Sequence, residues 1–125
     1  MGGVLEVERT NTVLYFERWT EAVAFYRDVL GFTVAFENDW FIEFAVHAGS
    51  FLSVADASRA SIRAGDGAGL TLSWQVADVD AVRTSLRDAG TDVGEFATRF
   101  GARVFDVFDP AGNRIEFWSG SLTDG

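Results

Sequence analysis

Two carboxylates in the stretch VFDVFDPAGNRIEFWSG, residues 104–120, are the side chains whose placement most directly suggests chemistry. Asp106 lies in an apolar segment before the turn DPAGN, and Glu116 lies in the apolar segment after it. A carboxylate on a half-buried strand is costly unless it is solvated, paired with a cation or bound to a ligand. Asp106 and Glu116 are therefore candidates both for binding a positive ligand and for general acid or base catalysis.

Hydrophobic periodicity and turn residues predict the elements that position these groups. The first half of the chain predicts a strand at about residues 11–17, a helix in TEAVAFYRDVLGF, and strands at FTVAFE, WFIEFAV and SFLSVA. The second half predicts a strand at LTLSWQV, a helix in DVDAVRTSLRDAG, and strands at TDVGEFA, ARVFDVF and NRIEFWS. Thr20 and Asp78 are the expected helix N-caps, and Gly31 and Gly90 the expected ends.

The same order of elements, strand, helix and three strands, occurs in both halves. At an offset of 59 residues the matched positions are Ala22 and Ala81, Val23 and Val82, Gly31 and Gly90, and Val34 and Val93. Four matches alone can arise by chance, but together with the shared order of elements they favour a duplicated βαβββ unit. We expect one domain over residues 1–125, with module one at about 8–55, a linker at about 56–69 and module two at about 70–119.

Composition narrows the classes of partner and location. The chain has 19 acidic residues against 10 Arg and no Lys, for a net charge of −9. This charge disfavours nucleic acid and anionic membranes as partners and favours a cationic ligand, although acidity also simply promotes solubility. The absence of Cys excludes disulfides and thiol chemistry. No signal peptide or membrane-spanning run is recognisable, so a cytoplasmic location is expected.

Three stretches, VAFYRDVLGF, VADVDAVRTSLRDAG and DPAGNRIEF, make the chain resemble the vicinal oxygen chelate superfamily from about residue 11 to 119. This superfamily includes glyoxalase I, bleomycin-resistance proteins and extradiol dioxygenases. The resemblance implies an α+β fold in which two βαβββ modules form curved mixed sheets around a cup, with the helices outside. It also implies that small molecules bind in the cup, and that the protein is a homodimer like the bleomycin-resistance members.

Strand alternation predicts which side chains share the cup with Glu116, because residues two apart point to one face. The first strand contributes Asn11, Val13 and Tyr15, and the fifth contributes Thr71, Ser73 and Gln75. The last two strands contribute Val104, Asp106, Arg114, Glu116 and Trp118. A pair between Arg114 and Glu116 is the simplest non-functional explanation of that carboxylate. The face of the apolar strand that carries Phe41 and Glu43 is left open.

The metal-dependent members of the family keep ligands at positions that the resemblance carries onto Asn11, Thr71 and Glu116, with a fourth near residues 51–53. Of the first three, only Glu116 is a competent ligand for a transition metal. The single histidine, His47, falls in a predicted turn away from these positions. We therefore expect no metal and no other cofactor.

Three functional hypotheses follow. The first is a metal-independent binder of a cationic or aromatic small molecule, such as an antibiotic or toxin, in the manner of bleomycin-resistance proteins. The second is a metal-free isomerase, lyase or cyclase that uses Asp106 or Glu116 as general acid or base. The third is a glyoxalase- or dioxygenase-type metalloenzyme. The first is preferred because the metal ligands are incomplete and no nucleophile–base pair is recognisable.

Overall fold

The computed structural model describes residues 5–121 and residue 123. The chain divides between Gly65 and Asp66 into two units, which we call unit one and unit two. Each unit contains one four-stranded mixed sheet with a helix against one face. The order strand, helix and three strands is present in both units, which confirms the duplicated βαβββ pattern predicted from the sequence.

Unit one is built from four strands and one helical segment. The strands are β1 (Thr10–Phe16), β2 (Thr33–Glu37), β3 (Phe41–His47) and β4 (Ser50–Asp56). Helix α1 (Trp19–Ala24) continues as a π-helical turn (Phe25–Val29), and a 3-10 turn (Ala57–Arg59) follows β4. The sheet order is β1-β4-β3-β2, with β1 parallel to β4 and the other neighbours antiparallel.

Unit two repeats this arrangement. Its strands are β5 (Thr71–Gln75), β6 (Ala97–Arg99), β7 (Ala102–Phe108) and β8 (Arg114–Ser119), and its helix is α2 (Val79–Asp88). The sheet order is β5-β8-β7-β6, with β5 parallel to β8. No helix among residues 5–121 is long and apolar enough to cross a membrane.

Each sheet buries the face that lies under its helix. In unit one Tyr26 of the π-helical turn packs between Phe16 and Phe44, with ring centroids 6.3 Å from each. In unit two Phe105 stacks on Phe117 at 5.3 Å. Burying such rings removes a large apolar area from water and is the main stabilising term in each unit. The opposite face of each sheet, which we call the open face, is therefore free to carry polar groups.

The second helix begins and ends where the sequence predicts. The Asp78 side chain accepts a hydrogen bond from the Ala81 amide at 3.0 Å, and the chain leaves the helix through Gly90 at a φ of 92°. The first helix begins two residues earlier than predicted, with Arg18 at the N-cap position and no hydrogen bond from its side chain as a cap, so the Thr20 assignment is wrong. Its end at Gly31, with a φ of 76°, is confirmed.

The strand predicted at TDVGEFA is wrong in position, since β6 covers only Ala97–Arg99. The segment before it is held by other contacts. The Gly94 amide donates to the Asp106 carbonyl at 2.9 Å, and the Phe96 ring packs edge-on against Phe105 at 5.8 Å. His47, expected in a turn, is instead the last residue of β3 and is exposed.

The first turn of α2 carries an exposed ion pair whose contribution to stability depends on pH. Arg103 donates two hydrogen bonds to the Asp80 carboxylate, at 2.9 and 3.2 Å, and these bonds lower the pKa of Asp80 below its usual value. A carboxylate with a lowered pKa stabilises the fold above its unfolded pKa, and this stabilisation is lost as the pH falls through the folded pKa.

We therefore predict that Asp80→Asn lowers the melting temperature slightly at pH 6–7, and that the difference from wild type disappears as the pH falls below about 4. Thermal unfolding followed by circular dichroism across this range measures the effect. Because Arg103 also stacks on Phe96 at 3.6 Å, the double variant with Arg103→Gln isolates the ion pair. A difference that persists unchanged at pH 3 would contradict the assignment.

Candidate functional site

The open face of unit two brings the two carboxylates of the opening stretch side by side. Strand pairing places Asp106 of β7 opposite Glu116 of β8, and Glu116 beside Ser73 of β5. Ile115 and Phe117 are buried on the helix side, while Arg114, Glu116 and Trp118 lie on the other face. The alternation predicted for β8 is thus confirmed. The paired side chains of Asp106, Glu116 and Ser73 form one polar row across the sheet.

A third strand supplies the cation that both carboxylates meet. Arg99, at the end of β6, forms a bidentate pair with Asp106 at 3.0 and 3.1 Å. The same guanidinium donates to Glu116 Oε2 at 2.5 Å. The hydrogen bonds that Arg99 makes to the two carboxylates raise the pKa of its guanidinium above its already high ordinary value, and the bonds to Asp106 contribute more than the bond to Glu116. Arg99 is thus a permanent cation between them.

Arg114 is the second arginine of the cluster and is held more loosely than Arg99. Its Nε lies 3.5 Å from Asp106 Oδ2, and its Nη2 lies 3.6 Å from Glu116 Oε2. The Nε atom is buried and makes no hydrogen bond with any residue that the structure describes. The pair between Arg114 and Glu116 that the sequence suggested is therefore present, but it is longer than the pairs that Arg99 makes.

Sequence reasoning missed Arg99 because the strand before β7 was predicted to end at Ala97, two residues before the observed end of β6. With the strand ending at Ala97, Arg99 fell in the loop and had no assigned face. The signal that could have found it is the stretch TRFGAR, in which a two-residue turn at Phe100 and Gly101 joins β6 to β7. Such a turn fixes the register, and that register puts Arg99 on the same face as Asp106.

A cavity of about 180 Å³ opens beside this cluster, within unit two. The side chains that line it come from β5, β7, β8 and the β6–β7 hairpin: Ser73, Arg99, Phe100, Ala102, Val104, Glu116 and Trp118. Val104 is 1% exposed and supplies an apolar wall, whereas Trp118 is only half-buried. The cavity is smaller than the roughly 300–1,000 Å³ that holds a drug-sized ligand, so it suits one or two rings.

Ser73 links the polar and aromatic parts of the cavity. Its hydroxyl donates to Glu116 Oε1 at 2.8 Å and accepts from the indole Nε1 of Trp118 at 3.2 Å. This chain of bonds fixes the orientation of the Trp118 ring. Gln75 is directed elsewhere, since its amide donates to the Gly120 carbonyl at 3.0 Å, and neither Gln75 nor Thr71 lines the cavity.

Unit one carries a related cluster on its own open face. Asn11 accepts from Ser53 at 2.9 Å and donates to Glu43 at 3.2 Å, and Arg9 pairs with Glu43 at 3.0 Å. Glu43 lies opposite Ser53 in the sheet just as Asp106 lies opposite Glu116. Each unit therefore has a carboxylate on its third strand that is neutralised by an arginine.

The strand pairing of unit one also settles the face that the sequence left open. Phe44 packs against Tyr26 on the helix side, so Phe41 and Glu43 point to the open face. The Phe41 ring contacts Phe36 at 6.4 Å and Trp40 at 5.6 Å. Val13 and Tyr15 are half-buried on the same face, whereas Arg9 lies over the Phe51 ring at 3.8 Å.

The positions that correspond to metal ligands in the family do not suit a transition-metal ion. The Asn11 oxygen already accepts from Ser53, and both oxygens of Glu116 accept from protein donors. Thr71 offers only a hydroxyl. Within the described part of the chain, no group of three or more His, Cys, Asp or Glu side chains is placed to hold an ion. The side chains at these positions are thus a poor ligand set for a transition metal, because the Asn11 and Glu116 oxygens already accept hydrogen bonds from the protein and Thr71 is a weak ligand.

Comparison with known proteins agrees with the fold and the two-module sheet pattern. The model of the Glyoxalase/Bleomycin resistance protein/Dioxygenase superfamily matches residues 10–117. The chain therefore belongs to this superfamily, the vicinal oxygen chelate superfamily that its motifs indicated. No curated protein matches the chain in sequence.

Solved structures of varied description share the fold. A lactoylglutathione lyase from Agrobacterium tumefaciens has 26% identity and a TM-score of 0.73, covering 89% of this chain and 92% of that one. TnmS3, an antibiotic binding protein from Streptomyces sp. CB03234, has 21% identity and a TM-score of 0.74, covering 97% and 100%. A glyoxalase/bleomycin resistance protein/dioxygenase from Nocardioides has 20% identity and a TM-score of 0.77, covering 100% and 88%.

Proposed function

We propose that this chain is a metal-independent small-molecule-binding protein that holds a planar aromatic ligand at the open face of unit two. The observation that carries the proposal is the cavity in which Trp118 and Val104 adjoin a polar cluster whose charges are already balanced. A planar ring would stack on Trp118, and a carbonyl or hydroxyl group of the ligand would exchange hydrogen bonds with Ser73 or Arg99.

The charge balance favours an uncharged ligand over the cationic one that composition suggested. Asp106 and Glu116 contribute two negative charges, and Arg99 and Arg114 contribute two positive charges within the same cluster. A cationic ligand would have to displace Arg99 and leave it without partners in a half-buried site, which is costly. The aromatic alternative requires no such exchange.

The biological role that we propose for this site is sequestration of an antibiotic or toxin, held through a planar part of one or two rings that the cavity can accept. Such a role needs affinity and no catalytic group, and one protein with the same fold is described as an antibiotic binding protein. The homodimer implied by the family resemblance and the cytoplasmic location expected from the sequence belong to the same proposal. Light scattering of the purified chain tests the dimer.

The enzymatic alternative depends on Glu116, because Glu116 lines the cavity and Asp106 does not. Both Glu116 oxygens accept hydrogen bonds from Ser73 and Arg99, so a substrate proton would have to compete with these donors. Turnover that disappears in Glu116→Gln while the ligand still binds would favour an enzyme. Equal binding and no turnover in either protein would favour a binder.

The binding proposal is tested with two probes that share an N-methylated bicyclic ring: 1-methyl-2-quinolone, which is neutral and carries a carbonyl group, and 1-methylquinolinium, which is a cation. We expect the wild type to bind the neutral probe more tightly in isothermal titration calorimetry. Trp118→Leu should weaken that binding about tenfold, since stacking contributes about 1 kcal/mol or more. Trp74→Leu removes an indole from the helix-side face of β5 and is the matched control.

The result that would overturn the proposal is equally specific. Failure of the wild type to bind either probe, or equal losses in Trp118→Leu and Trp74→Leu with both variants folded, would remove the cavity as the binding site. A stoichiometric transition metal in the purified protein would contradict its metal independence.

A further inference from the structure

The turn between β6 and β7 contains an unusual residue for its backbone conformation. Arg99 pairs with Ala102, so Phe100 and Gly101 are the two central residues of a tight hairpin turn. Both have positive φ values, 50° for Phe100 and 80° for Gly101. Turns of this kind favour Asn, Asp or Gly at both positions, because glycine adopts a positive φ freely, Asn and Asp tolerate it, and most other residues are strained there. Gly101 meets this demand, whereas Phe100 does not.

Phe100 is also exposed, which adds a second unfavourable feature at the same residue. Its side chain is 71% accessible to solvent although it is one of the most apolar in the chain. Strained residues are found preferentially at ligand-binding and active sites, where the strained position serves the site. Phe100 lines the cavity that also contains Trp118 and Arg99. The backbone strain of Phe100 and the exposure of its apolar ring therefore both occur at the edge of the proposed binding site.

Contacts on both sides hold the turn and leave the Phe100 ring outside. Arg99, just before it, is fixed by Asp106 and Glu116. The Phe100 carbonyl accepts from the Thr123 amide at 2.6 Å and from the Thr123 hydroxyl at 3.4 Å. Gly101 leaves room for this contact, since a Cβ there would lie 2.3 Å from the Thr123 hydroxyl oxygen. These bonds fix the backbone of the turn, and none of them involves the Phe100 ring.

We infer that Phe100 is a specificity-determining residue whose ring closes over a planar ligand in the unit-two cavity. This inference rests on the proposed function, because it assigns Phe100 to the same ligand that Trp118 contacts. Two aromatic side chains on one ligand would select flat ring systems over aliphatic molecules of equal size. The ordered turn would reduce the entropy lost when the ring is immobilised.

The test separates the strain of the turn from the contact with the ligand. Phe100→Asn places a residue that tolerates the left-handed conformation, so we expect a melting temperature at or above that of wild type. The same variant should bind 1-methyl-2-quinolone about tenfold more weakly. Phe100→Tyr should keep the affinity within about twofold, because it retains the ring.

A matched control uses another exposed phenylalanine of the same sheet. Phe108, at the end of β7, is 57% exposed and does not line the cavity. Phe100→Ala should therefore weaken the probe's binding, and Phe108→Ala should leave it unchanged. Competition with cyclohexyl and phenyl amides of the same size should show a preference for the flat ring in wild type that is reduced in Phe100→Ala.

The outcomes distinguish this inference from the function on which it rests. If the wild type binds the neutral quinolone and Phe100→Asn binds it equally well, the inference fails and the proposed function stands. If the wild type binds neither 1-methyl-2-quinolone nor 1-methylquinolinium, the inference and the proposed function both fail. If Phe100→Asn changes the molecular mass in light scattering and leaves affinity unchanged, Phe100 contacts a second copy of the chain instead, and the inference is overturned.

Discussion

Gly67→Ala is expected to lower the stability of unit two by about 3 kcal/mol. Gly67 has a φ of 87°, and a Cβ at this position would lie 2.2 Å from the Gly112 carbonyl oxygen and 2.7 Å from the Gly112 carbonyl carbon. Both atoms belong to the backbone, so no side-chain rotation can relieve the clash. The conformational cost of a left-handed residue, about 1–2 kcal/mol, adds to it.

The consequence extends to the site because of where Gly112 lies. It belongs to the β7–β8 turn, which Asp109 organises by accepting from the Asn113 amide at 2.9 Å and from the Asn113 side chain at 2.8 Å. The residue after this turn is Arg114, the first of β8. A shift of Gly112 would therefore move the strand that carries Glu116 and Trp118, and weaker binding of the quinolone probe should accompany the loss of stability.

Gly69→Ala is the matched control for this prediction. Gly69 has a φ of 75°, and a Cβ there would meet no atom of the described residues within 4 Å. It therefore carries only the conformational cost, about 1–2 kcal/mol. Urea unfolding followed by tryptophan fluorescence measures both variants, with Trp74 and Trp118 as the indoles of unit two. Equal losses in the two variants would show that the contact with Gly112 is not decisive.

The parts of the fold that the sequence predicts correctly are those set by local patterns. Asp78 caps α2 because its side chain reaches an amide three residues on, and Gly90 ends the helix because it adopts a positive φ. The face of β8 follows from simple alternation, since Ile115 and Phe117 are apolar and Glu116 is not. Each of these features depends on neighbours within a few residues, so one sequence contains enough information.

The parts that sequence reasoning misses depend on contacts between distant residues. The strand that carries Phe41 and Glu43 is apolar almost throughout, and only its pairing with β4 fixes which side chains face the helix. The segment before β6 alternates like a strand, but Phe96 is used for packing against Phe105 and Arg103 instead. The pairing of Arg99 with Glu116 spans 17 residues and three strands. No periodicity reports such a contact.

Arg99→Gln should have the largest effect on the site itself, beginning with stability. Removing the guanidinium leaves Asp106 and Glu116, each 18% exposed, with the looser contacts to Arg114 and, for Glu116, the hydrogen bond from Ser73. Breaking a fully buried pair costs about 3–5 kcal/mol, and an exposed pair contributes about 1 kcal/mol or less. Arg99 is 37% exposed, so we expect a loss of about 2 kcal/mol. Because its pKa is raised, this stabilisation should persist across pH 6–10, below the unfolded pKa of arginine.

The same substitution should reverse the ligand preference of the cavity. Without Arg99 the cluster has two carboxylates and one arginine, so an organic cation can take the place of the guanidinium. We expect 1-methylquinolinium to bind Arg99→Gln about tenfold more tightly than wild type in low salt, a gain of about 1.4 kcal/mol that decreases as salt is added.

Arg103→Gln removes the same charge from the pair with Asp80, outside the cavity, and should leave the binding of the cation nearly unchanged. Equal gains in the two variants would mean that overall charge is responsible, and no gain in either would mean that Arg99 does not occupy a cation position. A gain confined to Arg99→Gln would show that the carboxylates of β7 and β8 meet a cation that the chain itself provides.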